Sequence, residues 1–321
     1  MSFNLEQARQ LRDQLPVMDF RTPVSDDPLT SAYLSHYGLN RLHSPWPISH
    51  SLGYCPGHPG RVACHYFMVP EPACVGQFVI VHGYYDHVGL FRHPIEFCLS
   101  RGYSVLAFDL PGHGLSDGDP ASIGSFDDYS RALLNCLTGA EQSGIEGPWQ
   151  VLAQSTGAAA LINCFLKPAE FPLGNLQNII LLAPLLRPVD WTSGLIKFWL
   201  LRWFVRRVGR DFARNSHDEE FLRFIAEDDP LQARYLMVDW VRSLKQYLND
   251  FAAAPEISVP LSIIQGTEDT TVDWRYNLPH LRSGFPNTET YLIEGARHHL
   301  ANESAEFRAQ LFTIVAGILD S

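Results

Sequence analysis

Trp149-Gln-Val-Leu-Ala-Gln154-Ser155-Thr156-Gly157-Ala-Ala-Ala-Leu-Ile-Asn-Cys-Phe-Leu166 decides the fold. Its first six residues form a short apolar run, the pattern of a strand buried on both faces, and the alanine-rich remainder reads as a helix. A serine at such a junction, with Ala153 two positions before it and Gly157 two after, suits a sharp strand-to-helix turn. Small residues there let strand and helix approach closely while the hydroxyl projects clear of the sheet. Glycine is the more usual residue at the position of Ala153.

Outward from this junction, Gln77 to His82, Tyr103 to Asp109, Asn178 to Ala183, Leu261 to Gln265 and Thr288 to Ile293 read as further strands. Helices are expected at about 88–101, at about 125–142 with Ser125 as cap, and at about 303–319. A short amphipathic helix at about 4–15, with Leu5, Ala8, Leu11 and Leu15 on one side, and a hairpin at about 49–69 come first. Strands alternating with helices imply a mostly parallel α/β sheet with helices on both faces. From about Leu185 to Pro255 there is helical pattern and no convincing strand. A helical cap over the carboxyl ends of the strands, where open α/β sheets bind ligands, is the simplest reading. The chain then divides into a lead-in (1–48), the first part of the core (49–184), the cap (185–255) and the second part of the core (256–321).

The 321 residues are 46% hydrophobic and 18% charged, too apolar for disorder. Lys and Arg total 24 against 35 Asp and Glu, a net charge of −11 that argues against nucleic acid as partner. The start, Met-Ser-Phe-Asn-Leu-Glu-Gln, lacks the features of a signal peptide. The longest stretch without charged residues, Gly147 to Leu166, carries too many polar groups to span a membrane. A cytoplasmic protein is expected. Its six cysteines contain no Cys-x-x-Cys pair, which favours buried thiols in a reducing compartment. Cys55 and Cys64 could face each other across the hairpin with His50, His58 and His65 nearby. Their spacing matches no standard zinc pattern, so a plain hairpin and no metal or cofactor are expected.

A serine hydroxyl becomes a competent nucleophile only beside a base that an acid orients. In this turn geometry the acid and then the base follow the serine along the chain. The strand Leu261 to Gln265 runs into Gly266-Thr-Glu-Asp269, making Asp269 the candidate acid, with Glu268 and Asp273 as alternatives. The last strand runs into Glu294-Gly-Ala-Arg-His298-His299, and His298 is preferred to His299 as base. Two backbone N–H groups should stabilise the developing oxyanion, those of Thr156 and of Tyr84 after the strand ending at His82-Gly83. His82, Gly83 and Gln154, with Trp199 and Trp203 of the cap, are expected to line the substrate pocket. His113 and Asp117 read as shapers of a tight turn, and His87 as either a rim or a packed histidine.

Leu195 to Val208 is apolar most of the way round a helix, and Arg202, Arg206, Arg207, Arg210 and Arg214 concentrate positive charge there. It reads either as an ordinary packed cap helix or as an interfacial lid in peripheral contact with membrane.

These motifs resemble the α/β-hydrolase superfamily, within it the monoacylglycerol lipase or lysophospholipase-like branch of serine hydrolases. His82-Gly-Tyr-Tyr-Asp-His87 is similar to that branch's His-Gly-x-x-Glu-His. Arg101 to Asp109, the loop Leu110-Pro-Gly-His-Gly-Leu-Ser-Asp-Gly118, Gly266 to Asp269 and Gly295 to His298 match its later motifs. The resemblance runs from about Gln77 to the C-terminus and implies Ser155 as nucleophile, Asp269 as acid, His298 as base, and Tyr84 and Thr156 as oxyanion donors. It implies a cofactor-independent hydrolase of carboxylic esters with an apolar acyl group, either monoacylglycerol- or lysophospholipid-like or short-chain. Serine at the turn argues against epoxide hydrolase or dehalogenase chemistry, and the lack of a His-Gly-Gly-Pro-Gly run argues against a proline iminopeptidase. Thioesterase, amidase or acyltransferase activity stays open, as does a low-turnover ligand-binding or membrane-associated role. Oligomeric state is not readable.

Overall fold

In this computed structural model the backbone is described for residues 3–201 and 205–321, and the side chains for all of these except 197–201. The strands are β1 (Ser49–Pro56), β2 (Arg61–Met68), β3 (Gly76–Val81), β4 (Tyr103–Phe108), β5 (Trp149–Gln154), β6 (Leu176–Leu182), β7 (Arg207–Gly209), β8 (Tyr235–Met237), β9 (Leu261–Gly266) and β10 (Thr288–Ile293). The helices are α1 (Leu5–Gln14), α2 (Pro28–His36), α3 (Arg92–Ser100), α4 (Phe126–Gln142), α5 (Thr156–Leu166), α6 (Trp191–Leu201), α7 (Glu219–Arg223), α8 (Val238–Ala253), α9 (Trp274–Gly284) and α10 (Ala305–Leu319).

Eight strands form one sheet in the order β1-β2-β4-β3-β5-β6-β9-β10, in which β2 alone runs against the others. Successive residues of β3 show why its run is unbroken by polar groups. Val79 and Val81 pack with α4, α5 and α8 on one face, while Phe78 and Ile80 pack with α1, α2, α3 and α10 on the other. The chain passes from β3 to β4 on one side and returns to β5 on the other. Strand order thus reverses at β3, and the crevice beyond the carboxyl ends of β3 and β5 is the switch point where such sheets bind ligands.

Ser125 caps α4 as expected: its hydroxyl accepts from Asp127 N, and Asp128 reaches back to Ser125 N. In α1, Ala8 and Leu11 are buried, but Leu5 is 48% exposed, so it does not join the apolar side expected of it. α2 and α9 were not anticipated. α2 opens where Asp27 Oδ1 accepts from Leu29 N and Thr30 N and Pro28 fills the first helical turn.

The segment between β6 and β9 departs from an all-helical cap. α6 is described as far as Leu201, and the chain is extended by Arg207, pairing β7 with β8 in a two-stranded antiparallel ribbon. One helix over Leu195 to Val208 is therefore ruled out. α7 widens into a π turn over Phe224–Asp228 before the long helix α8. Among the described residues, no helix is long and apolar enough to cross a membrane.

Asp229, just after the π turn, ties this segment to two distant parts of the core. Tyr37 OH donates to its Oδ1 at 2.7 Å, and His87 Nε2 lies 3.0 Å from its Oδ2. Gln232 Nε2 completes the set at 2.9 Å. Burial opposes charge on both partners, yet their mutual attraction wins: His87 titrates above the ordinary histidine value and Asp229 is held down at about 2. His87 is thus a packed histidine.

The Cys55–Cys64 pairing needs a correction. Cys55 stands opposite Val62 and Cys64 opposite Gly53, so the two are diagonal neighbours. Cys136 of α4 joins them, and the three sulfurs lie within 4.8 Å of one another, fully buried. His50 and His65 pair with each other at 3.0 Å, and His58 turns to Asp128.

Two outcomes follow from this burial. In native protein a thiol reagent should modify Cys74 quickly and Cys55, Cys64, Cys98, Cys136 and Cys164 slowly, with all six reacting in denaturant. Asp229→Ala strands a buried histidine and should lower the unfolding free energy by about 3–5 kcal/mol in urea. Removing the exposed Arg214–Glu219 pair should change it by less than about 1 kcal/mol.

Candidate active site

Ser155 closes β5 and opens α5 with φ 52° and ψ −111°, a left-handed conformation rare for a residue bearing a Cβ. Its N–H donates to Leu182 O at 2.9 Å, which fixes the turn against β6. Gly157 lies against the backbone of β3, where a Cβ would stand 2.4 Å from Val81 O and 2.5 Å from His82 O. Only glycine permits that approach, and it drives the serine side chain up from the sheet.

The loops after β9 and β10 bring the other groups in. His298 Nε2 lies 3.0 Å from Ser155 Oγ, and its Nδ1 lies 2.7 Å from Asp269 Oδ2. Asp269 also accepts from Thr271 N (2.8 Å), Val272 N (3.0 Å) and Gln265 Nε2 (3.0 Å). Glu268 and Asp273 do not reach this histidine: Glu268 faces His217, and Asp273 pairs with Arg187. Burial disfavours charge at both His298 and Asp269, but each stabilises the other's ion. His298 is raised above the ordinary histidine value and Asp269 lowered below the ordinary carboxylate value.

His299 turns the other way, to Asp86 of the loop after β3, at 3.0 Å. Burial raises the Asp86 carboxyl, but the charge of His299 and its hydrogen bond pull it down to about 2. Tyr84 and Thr156 both border the space above Ser155, and among the described residues neither backbone N–H has a hydrogen-bond acceptor. Thr156 is the first residue of α5, whose N–H has no partner within the helix.

The cavity over Ser155 measures about 110 Å³. Leu185, Pro188, Ile225, Trp240 and Val272 form its apolar wall; Asp86, Arg210, Asn215 and His299 form the polar one. Tyr84 stacks on Trp240 of α8 at 4.0 Å, so α8 roofs the site.

Of the expected lining residues, Gly83 borders the cavity and two do not. His82 is a backbone brace, with Nε2 accepting from Leu110 N at 2.8 Å. Gln154 accepts from Ala301 N at 3.1 Å and approaches His299, which holds the histidine loop in place. Trp203 and the side chain of Trp199 fall outside the described residues. Asp117 and His113 shape a turn: Asp117 pairs with Arg61 of the hairpin, and His113 is buried against Pro111 O. Arg202 falls outside the described residues, and the other arginines of that stretch do not present one charged face. Arg207 covers the Tyr235 ring, Arg214 pairs with Glu219 and Arg210 enters the cavity. Asp86, Asn215 and Trp240 were not singled out from the sequence, although Asp86 lay within the His82 to His87 motif, and Arg210 was noted only for the positive charge it brings to this segment.

Comparison with known proteins agrees with this architecture. Residues 73–305 match the family model described as serine aminopeptidase, S33. Phospholipase YtpA of Bacillus subtilis is 26% identical over 240 residues, 71% of this chain and 90% of that protein. Human monoglyceride lipase is 25% identical over 259 residues, 78% of this chain and 83% of that protein. The crystal structure of a soluble variant of monoglyceride lipase from Saccharomyces cerevisiae, in complex with a substrate analogue, superposes with a TM-score of 0.70. It shares 18% identity and covers 87% of this chain and 98% of its own. The chain has the α/β-hydrolase fold and is a serine hydrolase of lipase or esterase type, a member of the serine aminopeptidase (S33) family in its monoglyceride-lipase-like branch.

Proposed function

We propose that Ser155, His298 and Asp269 hydrolyse carboxylic esters with an apolar acyl group through an acyl-enzyme. The observation that carries this reading is the continuous line from Ser155 Oγ to His298 to Asp269, at 3.0 and 2.7 Å, beneath a partly apolar cavity. Ser155 Oγ attacks the ester carbonyl as His298 Nε2 takes its proton, and the oxyanion meets the N–H groups of Tyr84 and Thr156. Collapse expels the alcohol, protonated by His298. A water, deprotonated by the same imidazole, then releases the acid and restores the serine. Asp269 holds Nδ1 and stabilises the imidazolium.

The relatives named monoglyceride lipase and phospholipase support a lipid ester as substrate. Drug-sized ligands fill pockets of about 300–1,000 Å³. A cavity of about 110 Å³ favours a small ester, or a larger one with most of its acyl chain outside this space.

A fluorophosphonate tests the nucleophile without a chosen substrate, since its phosphorus bonds Ser155 Oγ as fluoride leaves. Intact mass should show one adduct on wild type and none on Ser155→Ala; labelling of both proteins would refute Ser155. Protonated His298 cannot act as base, so activity is lost as pH falls through its raised pKa. The acid limb of kcat/KM should therefore have its midpoint above the ordinary histidine value of about 6.5. Asp269→Asn removes the charge that raises it, so the limb should move to lower pH while kcat drops about ten-thousandfold.

A further inference from the structure

The polar wall of the cavity contains a cation that the triad does not use. Arg210 follows β7, and its guanidinium carbon lies 3.9 Å from the centre of the Tyr85 ring and 4.4 Å from that of Phe212. Nη1 donates to Gln232 Oε1 at 2.7 Å and to Ala233 O at 3.2 Å, both uncharged acceptors. Among the described residues no hydrogen bond is made by Nε or Nη2, and no carboxylate lies within 4.0 Å of any of its nitrogens. Arg61, Arg187 and Arg308 each have such a carboxylate. Asp86 shares the cavity, but its Oδ1 already takes His299.

Arg210 is half-buried, and a guanidinium held at the wall of a cavity with no carboxylate in contact is placed to receive an anion that arrives with a ligand. Aromatic contacts and neutral carbonyls position this guanidinium, and Asp86 tempers its charge from across the cavity without contacting it. The unengaged Nε–Nη2 edge is the planar fork that takes two oxygens of a carboxylate or phosphate. The same cavity of about 110 Å³ is bordered by Ser155, so an anion on that edge is attached close to the reacting carbonyl. Asn215 Oδ1, buried there without a partner, offers an acceptor to a neighbouring hydroxyl.

We infer that Arg210 is an anion-binding residue of the substrate pocket, selecting esters that carry a carboxylate or phosphate a few bonds from the scissile carbonyl. This rests on the ester-hydrolase reading above. A purely structural Arg210, clamping Tyr85 beneath β7, would affect charged and neutral esters alike.

Two matched pairs of esters test it on the full chain. Mono-p-nitrophenyl glutarate against p-nitrophenyl valerate places a carboxylate on the acyl side; butyryl-glycerol phosphate against monobutyrin places a phosphate on the alcohol side. Wild type should favour the anionic member of at least one pair by about tenfold or more in kcat/KM, and which pair identifies the anion. Added salt should raise KM for that member more than for its neutral counterpart. Arg210→Met should cut the preference about tenfold, whatever it does to the neutral rate, and Arg210→Lys should retain part of it. Wild type that cleaves the neutral esters with no preference for either anionic one overturns the inference and leaves esterase activity standing. So does an Arg210→Met protein that loses both members of a pair equally. Wild type that cleaves no member of either pair removes the esterase reading, and this inference with it.

Discussion

The backbone of Ser155 is the constraint around which the carboxyl edge of the sheet is arranged. A left-handed turn at a residue with a Cβ costs about 1–3 kcal/mol, and it persists because its surroundings leave no alternative. β5 is hydrogen-bonded to β3 on one side and β6 on the other, so the strand cannot rotate. α5 is pressed onto the end of β3 at Gly157, so the helix cannot retreat. Between those two elements the chain has one residue in which to reverse. The strain is therefore the result of packing, and the exposed direction of the hydroxyl follows from it.

The consecutive histidines extend this logic. His298 and His299 point to carboxylates on two different loops, Asp269 after β9 and Asp86 after β3. Gly266 makes room, since a Cβ there would stand 2.3 Å from Ala296 O. With both imidazoles engaged, the loop cannot twist without breaking a buried pair, and His298 is held toward Ser155 by its neighbour's contact as well as by Asp269.

Much of this was legible beforehand, for local reasons. β5, α5 and β10 have the expected bounds because doubly buried strands show as apolar runs and the small residues at the turn mark its position. Ser155, Asp269 and His298, which the fold brings together, could be singled out because each follows a strand that is easy to find. α2 lacked a clear apolar stripe, although Asp27-Pro28 was a readable start signal. β7 and β8 are only three residues each and depend on one another, so no local pattern announces them. Apolar and arginine residues in that region fitted a single helix just as well. His82 and Gln154 look like pocket groups in a sequence because they are polar and stand at the carboxyl ends of β3 and β5, Gln154 next to Ser155. Their partners are backbone N–H groups of Leu110 and Ala301, which only the tertiary fold supplies.

The site at Asp229 bears on how such an enzyme could be rebuilt. Caps on this kind of core invite treatment as cassettes, to be exchanged between scaffolds at the two ends of the insertion. Here the carboxylate inside the insertion is satisfied by Tyr37, which precedes the whole sheet, and by His87, which follows its third strand. A transplanted insertion would arrive with a buried carboxylate that keeps Gln232 and Leu231 N but has lost its cationic partner, and the core left behind would keep a buried histidine without its acid. The unit that must move together is therefore discontinuous: it comprises the insertion, Tyr37 at the end of α2 and the loop after β3, and recombination that respects only the ends of the insertion cuts through it.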